Sequence, residues 1–121
     1  MASKSCEGCK GKTIVGEVEN VSFFVDNSKK EKFEARIDSG AASSSIDAKI
    51  VADLKLGPVL SVKKVRNAHG ETLRPVVEAT ILLKRKKMKA IFTVADRSRM
   101  KYKVLIGRNI LKEGFLIDVN K

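Results

Sequence analysis

An all-β domain, either a sandwich or a partly closed barrel, is the fold class this sequence predicts, and three observations carry it. Short β-branched runs alternate with turn clusters from Thr13 to Val119. Only the stretch opened by Gly107 reads as a helix, of one to two turns, and no βαβ rhythm is present. Hydrophobic residues make up 43% of the chain and aromatics only 5%, with no Trp, so the core must be built from Val, Ile, Leu and Ala, a mixture that suits strands. A length of 121 residues fits one domain with one modest core.

Met1 to Lys12 is rich in Ser, Lys and Gly without periodicity and is expected to be a flexible leader, with the folded domain at 13–121. It contains a lone C-x-x-C, Cys6 and Cys9. A redox pair would need a thioredoxin-like setting, and a zinc site would need further ligands that the sole His69, far downstream, does not supply. No metal and no cofactor are expected. The chain has no run near the ~20 apolar residues that span a bilayer and no secretory h-region, so a soluble cytoplasmic protein without a membrane partner is expected.

Thr13 to Val25 reads as strand, and the cluster from Asp26 to Lys30 turns it back into a second strand, Lys32 to Asp38. Ser43 to Ala48 could extend as another strand. Ala48 to Leu56 is ambiguous between a short helix and irregular strand, until Gly57-Pro58 stops it. Val59 to Arg66 and Thr72 to Leu83 form a hairpin about Ala68, His69, Gly70 and Glu71, with Leu73, Pro75, Val77, Ala79, Ile81 and Leu83 on one face. Pro75 cannot donate to a ladder, so this end of the hairpin should lie at an edge or project from the body. Met88 to Ala95 pairs back after a Lys-rich turn, Val104 to Ile106 is a short apolar strand, and Phe115 to Val119 is the last.

Lys and Arg outnumber Asp and Glu by 25 to 14, a net charge of +11, which draws polyanions. The densest run, Lys84 to Lys87, reads as a solvated hairpin tip. The aromatics that would stack bases, Phe24 among them, all sit in apolar patterns, so nucleic acid is not expected as a partner.

The best candidate catalyst is Asp38, in Ile37-Asp38-Ser39-Gly40-Ala41. A carboxylate between an apolar strand end and a Gly can sit on a sharp turn, and small neighbours let a second chain approach it. An Asp-Ser-Gly alone is a common turn. Its pairing with Leu105-Ile106-Gly107-Arg108-Asn109-Ile110-Leu111 is more specific. Together the two resemble the retropepsins, over about Thr13 to Asn120. The wider pattern, Ala95-Asp96-Arg97 and Gly114-Phe115-Leu116-Ile117-Asp118 included, is most similar to the small prokaryotic group labelled ATP-dependent zinc proteases and associated with ATP-grasp glutamate ligases. No P-loop Gly-Lys-Ser/Thr and no H-E-x-x-H is present, so the aspartic motif outweighs the zinc label.

The resemblance implies a retropepsin-like (acid protease) barrel with one short C-terminal helix. It also implies a homodimer, because one chain holds one such turn and Asp38 must meet Asp38 of a second copy. The two carboxylates would share a proton and hold a water, one as general base and one as general acid toward a peptide carbonyl. Ser39 would lock the paired turns, Gly40 would line the substrate backbone and Ala41 would keep the floor small. Ala68, His69, Gly70 and Glu71 would form the flap over a peptide or protein substrate, acidic or glutamylated in keeping with the charge. Gly107, Arg108 and Asn109 would support the turn from behind. An ATP-grasp ligase is the implied partner. Viral members place an acid directly after D-[ST]-G-A to pair with this Arg. Here Ala42 and Ser43 follow, which leaves Asp96 or Asp118 for Arg108. The alternative reading is a catalytically inactive retropepsin-like module that binds peptides or a partner by strand addition.

Overall fold

Strand pairing sets the architecture. The computed structural model describes residues 11–26 and 28–121, so Cys6, Cys9 and most of the expected leader lie outside the described residues. The elements are β1 (Thr13–Val15), β2 (Val18–Phe24), β3 (Lys30–Ile37), β4 (Ser44–Asp47), α1 (Ala48–Leu54), β5 (Val59–Asn67), β6 (Gly70–Leu83), β7 (Lys86–Ala95), β8 (Val104–Ile106), α2 (Arg108–Leu111) and β9 (Phe115–Ile117). Six of them join in the order β2-β3-β8-β4-β7-β6, and the ring closes where Val21, Ser22 and Phe23 pair with Leu83, Leu82 and Ile81. The β-barrel is therefore closed rather than partly closed, and closure removes the open edges a flat sheet would expose. Strand β5 is added outside the ring, on β6, while β1 and β9 form a separate parallel pair from Thr13↔Phe115 to Val15↔Ile117.

The core lies inside the ring and follows from alternation along its strands. On β6, Val77, Ala79, Ile81 and Leu83 are buried, and on β7, Ala90, Phe92 and Val94 join them. Phe23 and Phe92 are fully buried with ring centroids 5.3 Å apart, and Phe33 meets Phe23 edge-on at 5.9 Å. Burying each such side chain contributes about 1.5–3 kcal/mol, which lets so few aromatics anchor the barrel.

Leu73 departs from the predicted face: it is 66% exposed although Val77 is buried. The reason is length. Pairing of β6 with β7 starts at Val76↔Thr93, whereas pairing with β5 continues to Asn67↔Gly70. Beyond Val76 the hairpin is a two-stranded ribbon clear of the core, and Pro75 sits in it opposite Val62.

Two further differences have local causes. The predicted run from Thr13 to Val25 is broken after Val15, where the Gly16 N–H turns to the Glu19 carboxylate at 2.7 Å. The ambiguous segment from Ala48 is helix, a second short one beside the predicted C-terminal helix. Asp47 caps it by accepting the Lys49 N–H at 3.2 Å, and it ends at Lys55 in the left-handed region, φ 54°. Only Ile50 of α1 is buried, so its hydrophobic pattern is too thin to read as a helix. No helix among the described residues is long and apolar enough to cross a membrane.

Candidate active site

Strand β3 ends at Ile37, and the next residue turns over the end of β8: the Asp38 N–H donates to the Ile106 carbonyl at 2.9 Å. The turn closes on itself, with the Ala41 N–H donating to the Asp38 carbonyl at 3.2 Å and the Gly40 N–H to Asp38 Oδ1 at 2.9 Å. Asp38 is half-buried, whereas Ser39 and Gly40 are exposed. One carboxylate oxygen is thus oriented by a backbone N–H while the turn stays open to a neighbour.

Gly107, between β8 and α2, sits directly behind. A Cβ there would lie 2.5 Å from the Ser43 carbonyl oxygen and 2.8 Å from that of Ala41. No side chain fits, so the close approach itself requires glycine. Past Gly107 the chain hydrogen-bonds the far side of the turn: the Arg108 N–H donates to the Ala41 carbonyl at 2.8 Å and the Asn109 N–H to the Ala42 carbonyl at 3.2 Å. Asn109 Nδ2 also donates to the Ile91 carbonyl of β7 at 2.9 Å.

The hub of this support is a residue that sequence reasoning passed over. Ser44 is fully buried; its hydroxyl accepts the Gly107 N–H at 2.9 Å and donates to Asn109 Oδ1 at 2.7 Å. The available signal was a hydroxyl on the inward side of a strand, where a polar group must be satisfied.

Arg108 requires a correction. Neither Asp96 nor Asp118 is its partner; its Nη1 donates to the Ser39 carbonyl at 2.9 Å. Both acids are engaged nearby. Asp96 accepts the Ser98 hydroxyl at 2.6 Å and its N–H at 3.0 Å, bonds that hold its carboxyl below the usual range, and Asp118 accepts the Asn120 N–H at 2.9 Å. The guanidinium therefore clamps the Asp38 turn through its backbone.

Ala68, His69, Gly70 and Glu71 occupy the ribbon tip, with Gly70 at φ 118° and Glu71 paired to Arg66 at 2.8 Å. Among the described residues no hydrogen bond ties Ala68, Gly70 or Glu71 to the Asp38 turn; the ribbon reaches that region lower down, where Lys63 Nζ donates to Ser43 Oγ at 3.2 Å. Ser39 also borders an apolar depression of ≈ 460 Å³, lined mainly by Arg108, Leu111, Phe115, Leu116 and Ile117.

A closed barrel with an Asp-Ser-Gly-Ala turn seated on a glycine and a hairpin projecting from it is the retropepsin-like arrangement, and solved structures share the fold. Lpg0085, a Legionella pneumophila protein of unknown function (DUF785), matches with a TM-score of 0.62 at 20% identity, over 90% of this chain and 95% of its own. Simian foamy virus protease matches at 0.59 and 17% identity, over 78% of this chain and 91% of its own. EIAV protease, complexed with the inhibitor HBY-793, matches at 0.58 and 21%, over 77% of this chain and 83% of its own. No curated protein matches.

The family model of RimB-like proteins, described as retropepsin-like aspartic endopeptidase RimB, matches residues 52–121, and the chain belongs to that family. The matched segment includes the hairpin and Gly107-Arg108-Asn109; Asp38 precedes it.

Proposed function

We propose that this chain is a dimeric aspartic endopeptidase that hydrolyses peptide bonds with a dyad of Asp38 and Asp38 of a second copy. The observation that carries the reading is the seating of the Asp38 turn. Gly107 backs it, its carbonyls are clamped at Ser39, Ala41 and Ala42, and one carboxylate oxygen is oriented by the Gly40 N–H. Such preorganisation is what a carboxylate needs to hold an attacking water in line with a carbonyl. The apolar depression beside Ser39 gives a second copy a surface to cover next to the turn. In the assembled dyad one carboxylate takes the proton of the water and the other protonates the carbonyl oxygen, and the ribbon around Gly70 closes over the substrate. A net charge of +11 supports acidic or glutamylated substrates.

The test is a mass-spectrometric cleavage screen of peptide mixtures that include glutamylated members, with Asp38→Asn run in parallel. Products formed by the native chain and lost in the variant, with a drop of at least ~100-fold, support the dyad. Products insensitive to the substitution, or none at all, would favour a peptide-binding module without catalysis.

A further inference from the structure

We infer that the outer face of β7, β6, β2 and β3, at the barrel end remote from Asp38, is a binding surface for single-stranded nucleic acid. The register builds two adjacent rows across these strands. Leu82 pairs with Lys87 on one side and Ser22 on the other, and Ser22 pairs with Lys32. One step along, Thr80 pairs with Lys89, and Phe24 pairs with Lys30. Two lysines on β7 and two on β3 therefore flank a floor of Leu82, Ser22, Thr80 and Phe24, across three strand spacings of about 4.8 Å. All four lysines are exposed, and among the described residues none is in an ion pair. Of the carboxylates bordering the face, Asp26 accepts the Ser28 and Lys29 N–H groups and Glu19 pairs with Lys84 and Lys121, while Glu34 and Glu78 stand one step outside the lysine rows on β3 and β6.

Phe24 changes the reading of the charge. In sequence it continues an apolar run, yet it points outward, half-buried, beneath Lys87 Nζ at 4.5 Å and Lys30 Nζ at 5.8 Å from its ring centroid. It lines a surface hollow of ≈ 470 Å³ together with Thr80, Lys87 and Lys89. An aromatic on a sheet face, flanked by cations, is a platform on which a base stacks while lysines take the phosphates. An acidic polypeptide fits less well. Over the floor itself no strand can be added, since β2 and β6 have both edges paired there, and a carboxylate chain makes no use of the ring. The surface is separate from the Asp38 turn: Lys32 and Asp38 lie six residues apart, along β3 and one residue past its end, about 20 Å.

The experiment is fluorescence anisotropy of the full chain with a labelled, unstructured 12-nucleotide RNA between 50 and 200 mM salt. Four phosphate contacts predict a slope of log affinity against log salt of roughly −3. Lys87→Glu with Lys89→Glu should weaken binding at least ~10-fold, and Phe24→Leu, which keeps apolar bulk but loses the ring, by about 5-fold or more. Lys49→Glu, on α1, should change it less than ~2-fold. Absence of binding at 50 mM salt overturns the inference, as does equal weakening by Lys49→Glu, which would mark diffuse attraction only. Displacement of the RNA by polyglutamate, with Phe24→Leu silent, would assign the face to acidic proteins instead.

Discussion

Replacing Gly107 by Ala isolates the contact on which the proposed active site rests. The backbone there, φ −102° and ψ −170°, is open to any residue, so the added methyl acts by volume alone. Its carbon would lie 2.5 Å from the Ser43 carbonyl oxygen, 2.7 Å from the Ser43 carbonyl carbon and 2.8 Å from the Ala41 carbonyl oxygen, where ordinary contact begins at 3.4 Å. The turn must retreat by roughly 0.6–0.9 Å, the shortfall in those distances. All three obstructing atoms are backbone, so no side chain can rotate away. Overpacking costs about 1–3 kcal/mol, and weakening the bond from the Arg108 N–H to the Ala41 carbonyl adds about 1 kcal/mol. For a domain of this size that lowers Tm by roughly 8–16 °C, leaving a folded protein. Displacement of the carboxylate by nearly an ångström should cost about 100-fold in cleavage rate. Thermal melts and peptide-cleavage rates of the two proteins check both numbers. A variant melting within ~2 °C of the native chain and cleaving at the native rate would refute the view that Gly107 seats the turn.

Other outcomes follow from the same geometry. Sedimentation at rising concentration should show a dimer; a strict monomer at high micromolar concentration would remove the dyad. Hydrogen exchange should slow around residues 68–72 when peptide is bound, since the ribbon lacks a third strand there, and equal protection with and without peptide would rule out a flap. For Glu19, burial opposes ionisation, but the Gly16 N–H, Lys84 and Lys121 outweigh it and hold the carboxyl below its usual value. A carboxyl lowered in the folded state stabilises fully above the unfolded pKa near ~4.3 and loses that contribution as pH falls through the folded pKa. Glu19→Gln should therefore lower stability at pH 7, with the difference shrinking as pH falls below the unfolded pKa in denaturant titrations; a pH-independent difference would contradict the assignment.

What could be read from residues alone was mostly local. The Asp26 turn, the Gly70 tip, the alternation of Val77 to Leu83 and the short helix after Gly107 each depend on neighbours a few positions away. Ring closure does not, since the β2–β6 pairing brings Phe23 to Ile81, and no local pattern records it. The same limit hid the partner of Arg108. Charge arithmetic pointed to an acid, whereas the backbone of Ser39, delivered by the turn, is nearer. Phe24 was misplaced for a related reason: within Val21-Ser22-Phe23-Phe24 both rings look like core, but only one can face inward on a strand of period two. Ser44 was overlooked because a serine run carries no periodic signal, although its burial makes it the junction between β4 and α2.

The parallel pair of β1 and β9 carries a consequence for how the chain folds. Thr13, Ile14 and Val15 find their partners only at Phe115, Leu116 and Ile117, near the opposite end of the sequence. A contact of such long sequence separation carries a large loop-closure entropy, and folds dominated by distant pairings form slowly. Until residues 115–117 are synthesised, Val15, fully buried in the finished protein, lacks the strand it pairs with. Strand β1 is thus among the last to be secured, and truncation after Gly114 should leave a barrel with a loose, apolar, aggregation-prone segment at Thr13–Val15.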